Sequence, residues 1–391
     1  MHLFAPGARV CYNPLSGTGF LNHAPKTSVH FPTLAFDQQD ARFSRAFELL
    51  VNAVSARAFP AAATAVTHAG NLVVLKGLGR FTFDSDSPAV SPDTIFDLAS
   101  VSKVVATTAM AMILYERGDL DLEMPVRNVV PEFGGEDPRR DEVTVHMLLA
   151  HSSGLPAYEK LFQTAHTPET LLQAVYEMPL VAEPGTVATY SDIGFILLGE
   201  ALARIADEPL DQFCQRNVFG PLGLARTAFN PPAAWRSTIP PTADDTWFRK
   251  RMIQGEVHDE NAAVLSGVAG HAGVFGTAGD VAAFAHGLFN AAFVRPETLA
   301  VFTRREANPE GTSRALGWDT PSKPSQSGKY FSPSSFGHLG YTGTSLWIDP
   351  ERQLSITLLT NRTWPDNRNQ AIQQVRPAFH DAIVEALEGK A

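Results

Sequence analysis

Residues 96–110 read FDLASVSKVVATTAM and place Ser100 and Lys103 three positions apart at the start of a predicted helix. In a helix, that spacing puts both side chains on one face. A serine hydroxyl is a poor nucleophile until a base takes its proton, and a lysine can serve when its surroundings lower its pKa. The stretch therefore indicates either a solvated helix start or a nucleophile beside its base. Taken alone, the motif favours the solvated helix start.

The composition is that of an ordinary globular protein. The 391 residues exceed what one compact core normally holds, which predicts two lobes. The 31 basic and 41 acidic residues give a net charge of −10 without any basic run, which disfavours nucleic acid and anionic membranes as partners. No apolar run is long enough to span a bilayer. Cys11 and Cys214 do not make a disulfide framework.

The first residues show no basic segment followed by an apolar one, so no signal peptide is visible. We therefore expect a cytoplasmic protein, or a periplasmic one if the true start lies upstream.

Periodicity and turn residues divide the chain into three parts. Residues 1–35 lack a clear period and are predicted to be an irregular arm. Residues 36–118 and 265–391 carry strand and helix patterns and are predicted to form one α/β lobe from both chain ends. Residues 119–264 hold helices separated by prolines and glycines, which predicts a helical insertion lobe. The cleft between two such lobes suits a functional site.

Turn residues and helix-capping residues predict several of these elements directly. A hairpin is predicted to turn at Ala69-Gly70-Asn71, and threonine caps are predicted at Thr144 and Thr277. The helix that contains Ser100 is expected to run to about Tyr115. Two adjacent strands and a helix over residues 369–388 are predicted to close the chain.

Two downstream elements supply partners for the serine and the lysine. Tyr190-Ser191-Asp192 stands at a turn before an apolar helix, and His338-Leu339-Gly340 begins a glycine-rich strand. Together with Ser100-x-x-Lys103, they match in order the three motifs of serine β-lactamases and penicillin-binding proteins. The chain resembles the serine β-lactamase-like hydrolases of the class C type, which include class C β-lactamases, D-alanyl-D-alanine peptidases and family VIII carboxylesterases. The likeness covers roughly residues 40–390.

This resemblance implies a fold and a set of roles. The fold would be α/β (α+β) and β-lactamase/transpeptidase-like, with an antiparallel sheet flanked by the N- and C-terminal helices and an inserted, mostly helical lobe. Ser100 matches the acylated serine, Lys103 the lysine of its proton network, and Tyr190 the tyrosine that acts with the lysine as general base. The backbone N–H groups of Ser100 and Tyr341 would form the oxyanion hole.

Asp192 stands where the family more usually has asparagine. A carboxylate near Lys103 would stabilise the ammonium form, so we expect Lys103 to stay protonated and Tyr190 to carry the base role. A phenol needs nearby positive charge to lower its pKa from about 10 toward a useful range. Asp192 is also a good helix N-cap residue. Whether Lys103 or Tyr190 is the acylation base stays open.

The His338-Leu339-Gly340 element also departs from the family pattern. His338 is expected to offer the substrate a hydrogen bond or a part-time positive charge. Leu339 lacks the hydroxyl that many relatives use to bind a substrate carboxylate, which favours neutral, less polar acyl donors. Gly340 is expected to let the backbone approach the substrate.

Other chemistries have weaker signals. His151, His258 and His271 lack metal-binding spacing, and the sequence has neither a Gly-x-Ser-x-Gly elbow nor a nucleotide-binding glycine loop. We therefore expect no metal and no cofactor. Five aromatic residues could line an acyl pocket, although core packing is the simpler expectation for each of them: Tyr158, Phe162, Trp235, Trp247 and Phe248.

These observations predict a serine hydrolase that acts through a Ser100 acyl-enzyme on a small-molecule ester or amide. Short-chain carboxylic esters are the preferred substrates. The alternative is a β-lactamase or a D-amino-acid peptidase of the penicillin-binding type, which acts on amides. A non-catalytic ligand-binding relative of the same fold is the rival from another class. The natural substrate and the oligomeric state stay open.

Overall fold

The computed structural model of the protein describes residues 38–389, so the predicted irregular arm (1–35) lies outside the described residues. The strands are β1 Ala61–His68, β2 Asn71–Gly79, β3 Phe96–Asp97, β4 Ala228–Phe229, β5 Ala243–Asp245, β6 Arg251–Ile253, β7 Val274–Gly276, β8 Phe336–Leu339, β9 Ser345–Asp349 and β10 Leu354–Thr360. The α-helices are α1 Gln39–Arg42, α2 Ser44–Ser55, α3 Ala109–Arg117, α4 Val145–Leu149, α5 Pro168–Tyr176, α6 Asp192–Ala206, α7 Leu210–Cys214, α8 Glu260–Val264, α9 Ala278–Phe289, α10 Pro296–Thr303 and α11 Ile372–Leu387.

A five-stranded antiparallel sheet of order β2-β1-β10-β9-β8 organises the fold. Strand β1 pairs with β10 from Ala62↔Thr360 to His68↔Leu354, so strands from the two ends of the chain lie side by side. Strand β1 is buried along nearly its whole length and contains four alanines, which allows helices to pack closely on both of its faces.

Both faces of the sheet are covered by helices. On one face, Leu50 of α2 and Phe379 of α11 belong to the same core cluster as Val66 of β1 and Ile356 of β10. Helix α9 packs against β1 and β10 within the main core. This is the predicted antiparallel sheet flanked by the N- and C-terminal helices. The proposed lobe boundaries remain predictions.

The local signals in the sequence correspond to observed turns and caps. Ala69 and Gly70, both with positive φ, connect β1 to β2 as predicted. The side chains of Thr144 and Thr277 accept hydrogen bonds from the backbone three residues on and cap α4 and α9. No helix within residues 38–389 is long and apolar enough to cross a membrane.

The segment that contains Ser100 differs from the regular helix that was predicted. A 3₁₀ turn (Ala99–Val101) leads into a π-helical stretch (Lys103–Thr108), and regular α-helix begins only with α3. The Thr107 hydroxyl donates to the carbonyl of Gly270 at 2.7 Å and ties the widened turns to a distant loop. Tertiary contacts therefore shape the start of this helix, whereas Gly118 ends it in the left-handed conformation, close to where the sequence predicts.

Truncation of the helix that covers the sheet should cost stability. Leu50 is fully buried in α2, and we expect Leu50→Ala to lower the free energy of unfolding by about 2–5 kcal/mol through lost burial and a residual cavity. The adjacent Val51 is 47% exposed, so Val51→Ala should change it by no more than about 0.5 kcal/mol. Urea denaturation of both variants measures the difference, and equal effects would contradict the packing described.

Candidate active site

Ser100 lies in a tight turn directly after β3. The preceding residue, Ala99, has φ 46°, a conformation that non-glycine residues adopt infrequently. Its N–H donates to Asp97 Oδ1 at 2.8 Å, and the other carboxylate oxygen accepts from the N–H of His258 at 2.6 Å. Burial raises the pKa of Asp97 to about 6 although these hydrogen bonds oppose the shift. The buried carboxylate therefore holds the turn that presents the serine.

The structure brings Ser100, Lys103, Tyr190 and Asp192 together. Lys103 Nζ donates to Ser100 Oγ at 3.0 Å and to Asp192 Oδ1 at 2.6 Å. A hydrogen bond of 2.8 Å joins Tyr190 Oη to Ser100 Oγ. The third acceptor of the ammonium group is the carbonyl of His271, at 3.0 Å. A fully buried lysine with three acceptors, one of them a carboxylate, is part of an organised proton network, which rules out the solvated helix start.

The pKa shifts in this network agree with the expectation for Lys103 but not with the expectation for Tyr190. Burial lowers the pKa of Lys103, but Asp192 and Tyr190 raise it, and the net pKa is above its ordinary value. Lys103 therefore stays protonated, as predicted. Burial also raises the pKa of Tyr190, and the nearby ammonium group of Lys103 does not fully offset it. The expected lowering of the phenol pKa is thus wrong, because the net pKa of Tyr190 is above its ordinary value and the phenol keeps its proton.

Asp192 is the first residue of α6 and not its N-cap. The N-cap is Ser191, whose Oγ accepts from the N–H of Gly194 at 2.9 Å and donates to the carbonyl of Pro156 at 2.6 Å. Because the neighbouring serine caps the helix, the carboxylate of Asp192 is available to pair with Lys103. The interpretation of Asp192 as an N-cap is therefore wrong.

His151 lies behind Tyr190 as part of its support. Its buried ring lies 4.7 Å from the Tyr190 ring and 4.9 Å from the Phe195 ring, measured between centroids. His151 Nδ1 accepts from the N–H of Ser191 at 3.0 Å, so the sequence neighbour of Tyr190 is anchored as well. Burial, assisted by nearby Arg314, lowers the pKa of His151, and the imidazole is neutral.

His338 is buried near the end of β8 and lines a cavity that also contains Ser100 in its lining. Burial, with Lys103 and Arg314 nearby, lowers its pKa to about 3. At that pKa the ring is neutral, and because its Nδ1–H donates to the carbonyl of Leu339 at 2.8 Å, Nε2 carries the lone pair. The expected part-time positive charge is therefore wrong, and the buried Nε2, which has no hydrogen-bond partner within residues 38–389, can act only as an acceptor.

Gly340 is required for a reason that the sequence did not reveal. A Cβ atom there would lie 1.9 Å from Thr344 Oγ1 and 2.6 Å from the carbonyl oxygen of Leu98. The absence of a side chain thus lets the end of β8 pack against the turn that carries Ser100. The sequence predicted a close approach of the backbone to substrate, whereas the structure shows a close contact within the protein.

Two threonines join the turn after β8 to the Ser100 turn. Thr342 Oγ1 donates to the carbonyl of Asp97 at 2.9 Å, and Thr344 Oγ1 donates to the carbonyl of Leu98 at 2.8 Å. These bonds set the distance between the segments that carry Ser100 and Tyr341, whose backbone N–H groups are the predicted oxyanion donors.

Tyr341 is held from its carbonyl and from its hydroxyl. Arg362 Nε donates to the Tyr341 carbonyl at 2.7 Å, and Asn367 Nδ2 donates to Tyr341 Oη at 2.6 Å. The backbone N–H of Tyr341 has no hydrogen-bond acceptor within residues 38–389. A donor without a partner beside a cavity is available to a ligand.

A cavity of about 690 Å³ opens in front of Ser100. Three of the five predicted aromatics line it, and two of these, Tyr158 and Trp247, are partly exposed. Phe162 is the third, whereas the Phe248 ring packs at a tilt against that of Phe162 and Trp235 packs against a separate small cluster. The charged residues of the cavity lining are Lys160, Asp192, Asp259, Glu260, Arg314 and Asp319.

The three histidines that were considered as metal ligands have structural contacts. His271 Nε2 lies 2.8 Å from Asp259 Oδ1, and this pairing holds the pKa of the carboxyl at about 2 in spite of burial. His258 contributes its backbone to the Asp97 carboxylate, and His151 supports Tyr190. Within residues 38–389, no group of three or more His, Cys, Asp or Glu side chains is arranged to hold a metal ion.

The fold and the serine–lysine–tyrosine constellation define a serine hydrolase of the β-lactamase type. A family model described as Beta-lactamase matches residues 43–378, and the chain belongs to this family, as its motifs predicted.

Individual relatives have different names. A Salmonella agona (strain SL483) protein named "Putative D-alanyl-D-alanine carboxypeptidase" is 32% identical over 308 residues, which are 69% of this chain and 70% of that protein. Among solved structures, EstCE1, "a hydrolase with promiscuous acyltransferase activity", has a TM-score of 0.73 at 21% identity and covers 90% of this chain and 100% of its own. A class C beta lactamase from Rhodobacter sphaeroides has a TM-score of 0.68 at 22% identity and covers 88% and 99%. At these identities the two structures show the shared fold alone.

Replacement of Asp192 should move the pH dependence of activity in a defined direction. The negative charge of Asp192 raises the pKa of both Lys103 and Tyr190, so Asp192→Asn lowers both. Because acylation needs this network to release one proton, the ascending limb of the kcat/KM–pH profile should shift to lower pH.

The matched control is Asp207→Asn, at the exposed opposite end of α6, which should leave the profile in place. Coincident profiles for Asp192→Asn and the parent protein would show that the carboxylate is not coupled to the base.

Proposed function

We propose that the protein hydrolyses carboxylic esters through an acyl-enzyme on Ser100, with short-chain acyl groups as preferred substrates. The observation that carries the proposal is the convergence of Lys103 and Tyr190 on Ser100 Oγ, at 3.0 and 2.8 Å, at the edge of an open cavity. A nucleophile with two proton-transfer groups in hydrogen-bond reach is the arrangement that covalent catalysis requires.

The reaction proceeds in two halves. Ser100 Oγ attacks the ester carbonyl carbon while its proton passes to the Lys103–Tyr190 pair, and the carbonyl oxygen becomes an oxyanion. The N–H groups of Ser100 and Tyr341 receive that charge. The C–O bond to the leaving group then breaks, and the pair returns the proton to the departing oxygen. Water repeats the sequence on the acyl-enzyme and releases the carboxylic acid and the free serine.

The base in this scheme is the pair acting as one titrating unit. Both Lys103 and Tyr190 have a raised pKa and hold their protons at rest, so the active form is the one in which the pair has lost one proton. Whichever group has lost its proton lies within hydrogen-bond distance of Ser100 Oγ and can accept the serine proton.

Preference for esters rests on the residues around the serine. Leu339 supplies no hydroxyl, and neutral His338 supplies no positive charge, for the carboxylate that β-lactams carry. Tyr158, Phe162 and Trp247 give the cavity an aromatic wall on which an apolar acyl group can be buried.

A second candidate function is amide hydrolysis by a peptidase or a β-lactamase. The name of the Salmonella agona relative favours the peptidase, and the same serine network can attack an amide carbonyl. A non-catalytic ligand-binding role is disfavoured because the nucleophile and both proton-transfer groups are present and in contact.

Covalent labelling tests the nucleophile. A fluorophosphonate probe should add one adduct mass to the parent protein and none to Ser100→Ala, as measured by intact-mass spectrometry. Ser55→Ala, an exposed serine in α2, should label like the parent. Tyr190→Phe should label about 10²–10⁴-fold more slowly because proton transfer from the serine is impaired. An adduct that persists in Ser100→Ala would contradict the assignment.

A substrate panel separates ester from amide chemistry. We expect p-nitrophenyl butyrate to be turned over with a kcat/KM at least about tenfold above that of a chromogenic cephalosporin or an acyl-D-alanyl-D-alanine peptide. The Ser100→Ala protein provides the background rate for each compound. Faster turnover of either amide substrate than of the ester would establish the second candidate function instead.

A further inference from the structure

Two buried arginines contact the connection between β8 and β9: Arg362, just after β10, and Arg376, in α11. Neither forms an ion pair with a carboxylate of residues 38–389. The two guanidinium groups also lie near each other, since burial lowers the pKa of Arg376 to about 9 and the positive charge of Arg362 adds to that shift. Neighbouring cations buried without a counter-ion are costly to the fold, which indicates that the charge itself has a use.

Arg362 is bonded to the residue that carries one of the predicted oxyanion donors. Its Nε donates to the carbonyl of Tyr341 at 2.7 Å, and its guanidinium carbon lies 4.5 Å from the centroid of the Tyr341 ring. Its Nη1 donates to the carbonyls of Asn367 and Asn369 at 3.1 and 3.3 Å. Asn367 in turn donates to Tyr341 Oη, so Arg362 holds both Tyr341 and the loop that binds its hydroxyl.

Gly343 allows the arginines to come this close to the backbone. It has φ 94°, and a Cβ atom there would lie 2.1 Å from Thr360 Oγ1 and 2.6 Å from Arg362 Cγ. Arg376 Nη2 lies 3.4 Å from the carbonyl oxygen of Gly343 and 3.5 Å from that of Thr344, which is longer than an ordinary hydrogen bond. Arg376 therefore contributes chiefly its charge to this part of the structure.

The positive charge of Arg362 acts on the cavity side of the connection as well. His258 lines the cavity, and its ring centroid lies 5.8 Å from that of Tyr341. Burial lowers the pKa of His258 to about 4, and the charges of Arg249 and Arg362 add to the shift. A negative charge that develops at the Tyr341 N–H lies within the same field, because Arg362 is bonded to that residue.

We propose that Arg362 is a positioning residue for the oxyanion. It holds the Tyr341 N–H in place, and its positive charge, supported by that of Arg376, stabilises the negative charge that develops there when the acyl-enzyme forms and breaks down. A neutral donor would hold the Tyr341 carbonyl at a lower cost of burial, so the charge is the property that serves the transition state. This inference rests on the proposed Ser100 acyl-enzyme.

Substitution of the two arginines tests the inference. Arg362→Gln should lower kcat/KM for p-nitrophenyl butyrate by about tenfold to a hundredfold, because charge is lost beside the developing oxyanion. Arg362→Lys keeps the charge but loses the planar donors, and it should recover part of the loss. Arg376→Gln, whose side chain has no bond to Tyr341, should lower kcat/KM by a smaller factor.

Two inhibitors separate a loss of charge from a loss of structure. n-Butylboronic acid bonds through boron to Ser100 Oγ with release of the serine proton, which leaves one negative charge on the tetrahedral adduct, whereas butyramide binds without charge. Arg362→Gln should weaken inhibition by the boronic acid by the same factor as kcat/KM and change inhibition by butyramide by no more than about twofold. The ratio of the two inhibition constants is independent of the active fraction.

The matched control is Arg368→Gln, an exposed arginine on the same loop, which should leave both inhibition constants unchanged. Melting temperatures establish that each variant is folded at the assay temperature, and if Arg362→Gln is unfolded, the inhibitor ratio in Arg376→Gln decides in its place. An equal weakening of both inhibitors, or an unchanged ratio, would overturn the inference while ester turnover by the parent still supports the proposed function. A parent protein that neither hydrolyses the ester nor binds the boronic acid would overturn both.

Discussion

The fully buried ammonium group of Lys103 is the charge around which the site is assembled. Burial of an unpaired ammonium costs several kcal/mol, so the fold must supply acceptors for it. They come from three separate segments: the Ser100 turn, the first residue of α6 and the glycine-rich loop that ends at β7. The buried ammonium is therefore satisfied only where these three segments meet.

The second constraint is the close contact between the turn after β8 and the Ser100 turn. Thr342 and Thr344 donate to the two carbonyls that precede the nucleophile turn, and Gly340 leaves room for them. Asp97 holds the same turn from the other side through the N–H of Ala99. The Ser100 turn is therefore held by a buried carboxylate and two hydroxyls, none of which belongs to the three sequence motifs. Such support keeps a site within the small tolerance that catalysis demands.

The structural role of a residue could be predicted from the sequence where it depends on neighbours a few positions away. It could not be predicted where it depends only on long-range contacts. Thr144, Thr277 and Gly118 end or begin helices through neighbours a few positions away, so their roles could be predicted from pattern alone. The N-cap of α6 was misassigned to Asp192 because Ser191 beside it is an equally good cap, and only the contact with Lys103 distinguishes the two. Asp97 had one available signal, an acidic residue in an apolar stretch just before the nucleophile.

The sequence by itself determined the family and indicated the candidate nucleophile and its two candidate proton-transfer partners, because their chemistry demands particular residue types in a particular order. It also determined the caps at Thr144 and Thr277 and the hairpin turn, which depend on contacts within a few residues. Only the tertiary structure decided the protonation of the site, since the pKa of Tyr190 and that of His338 depend on burial and on charges from distant segments. It alone placed Arg314 beside Tyr190, 124 positions away in the chain, because long-range packing leaves no local pattern to read.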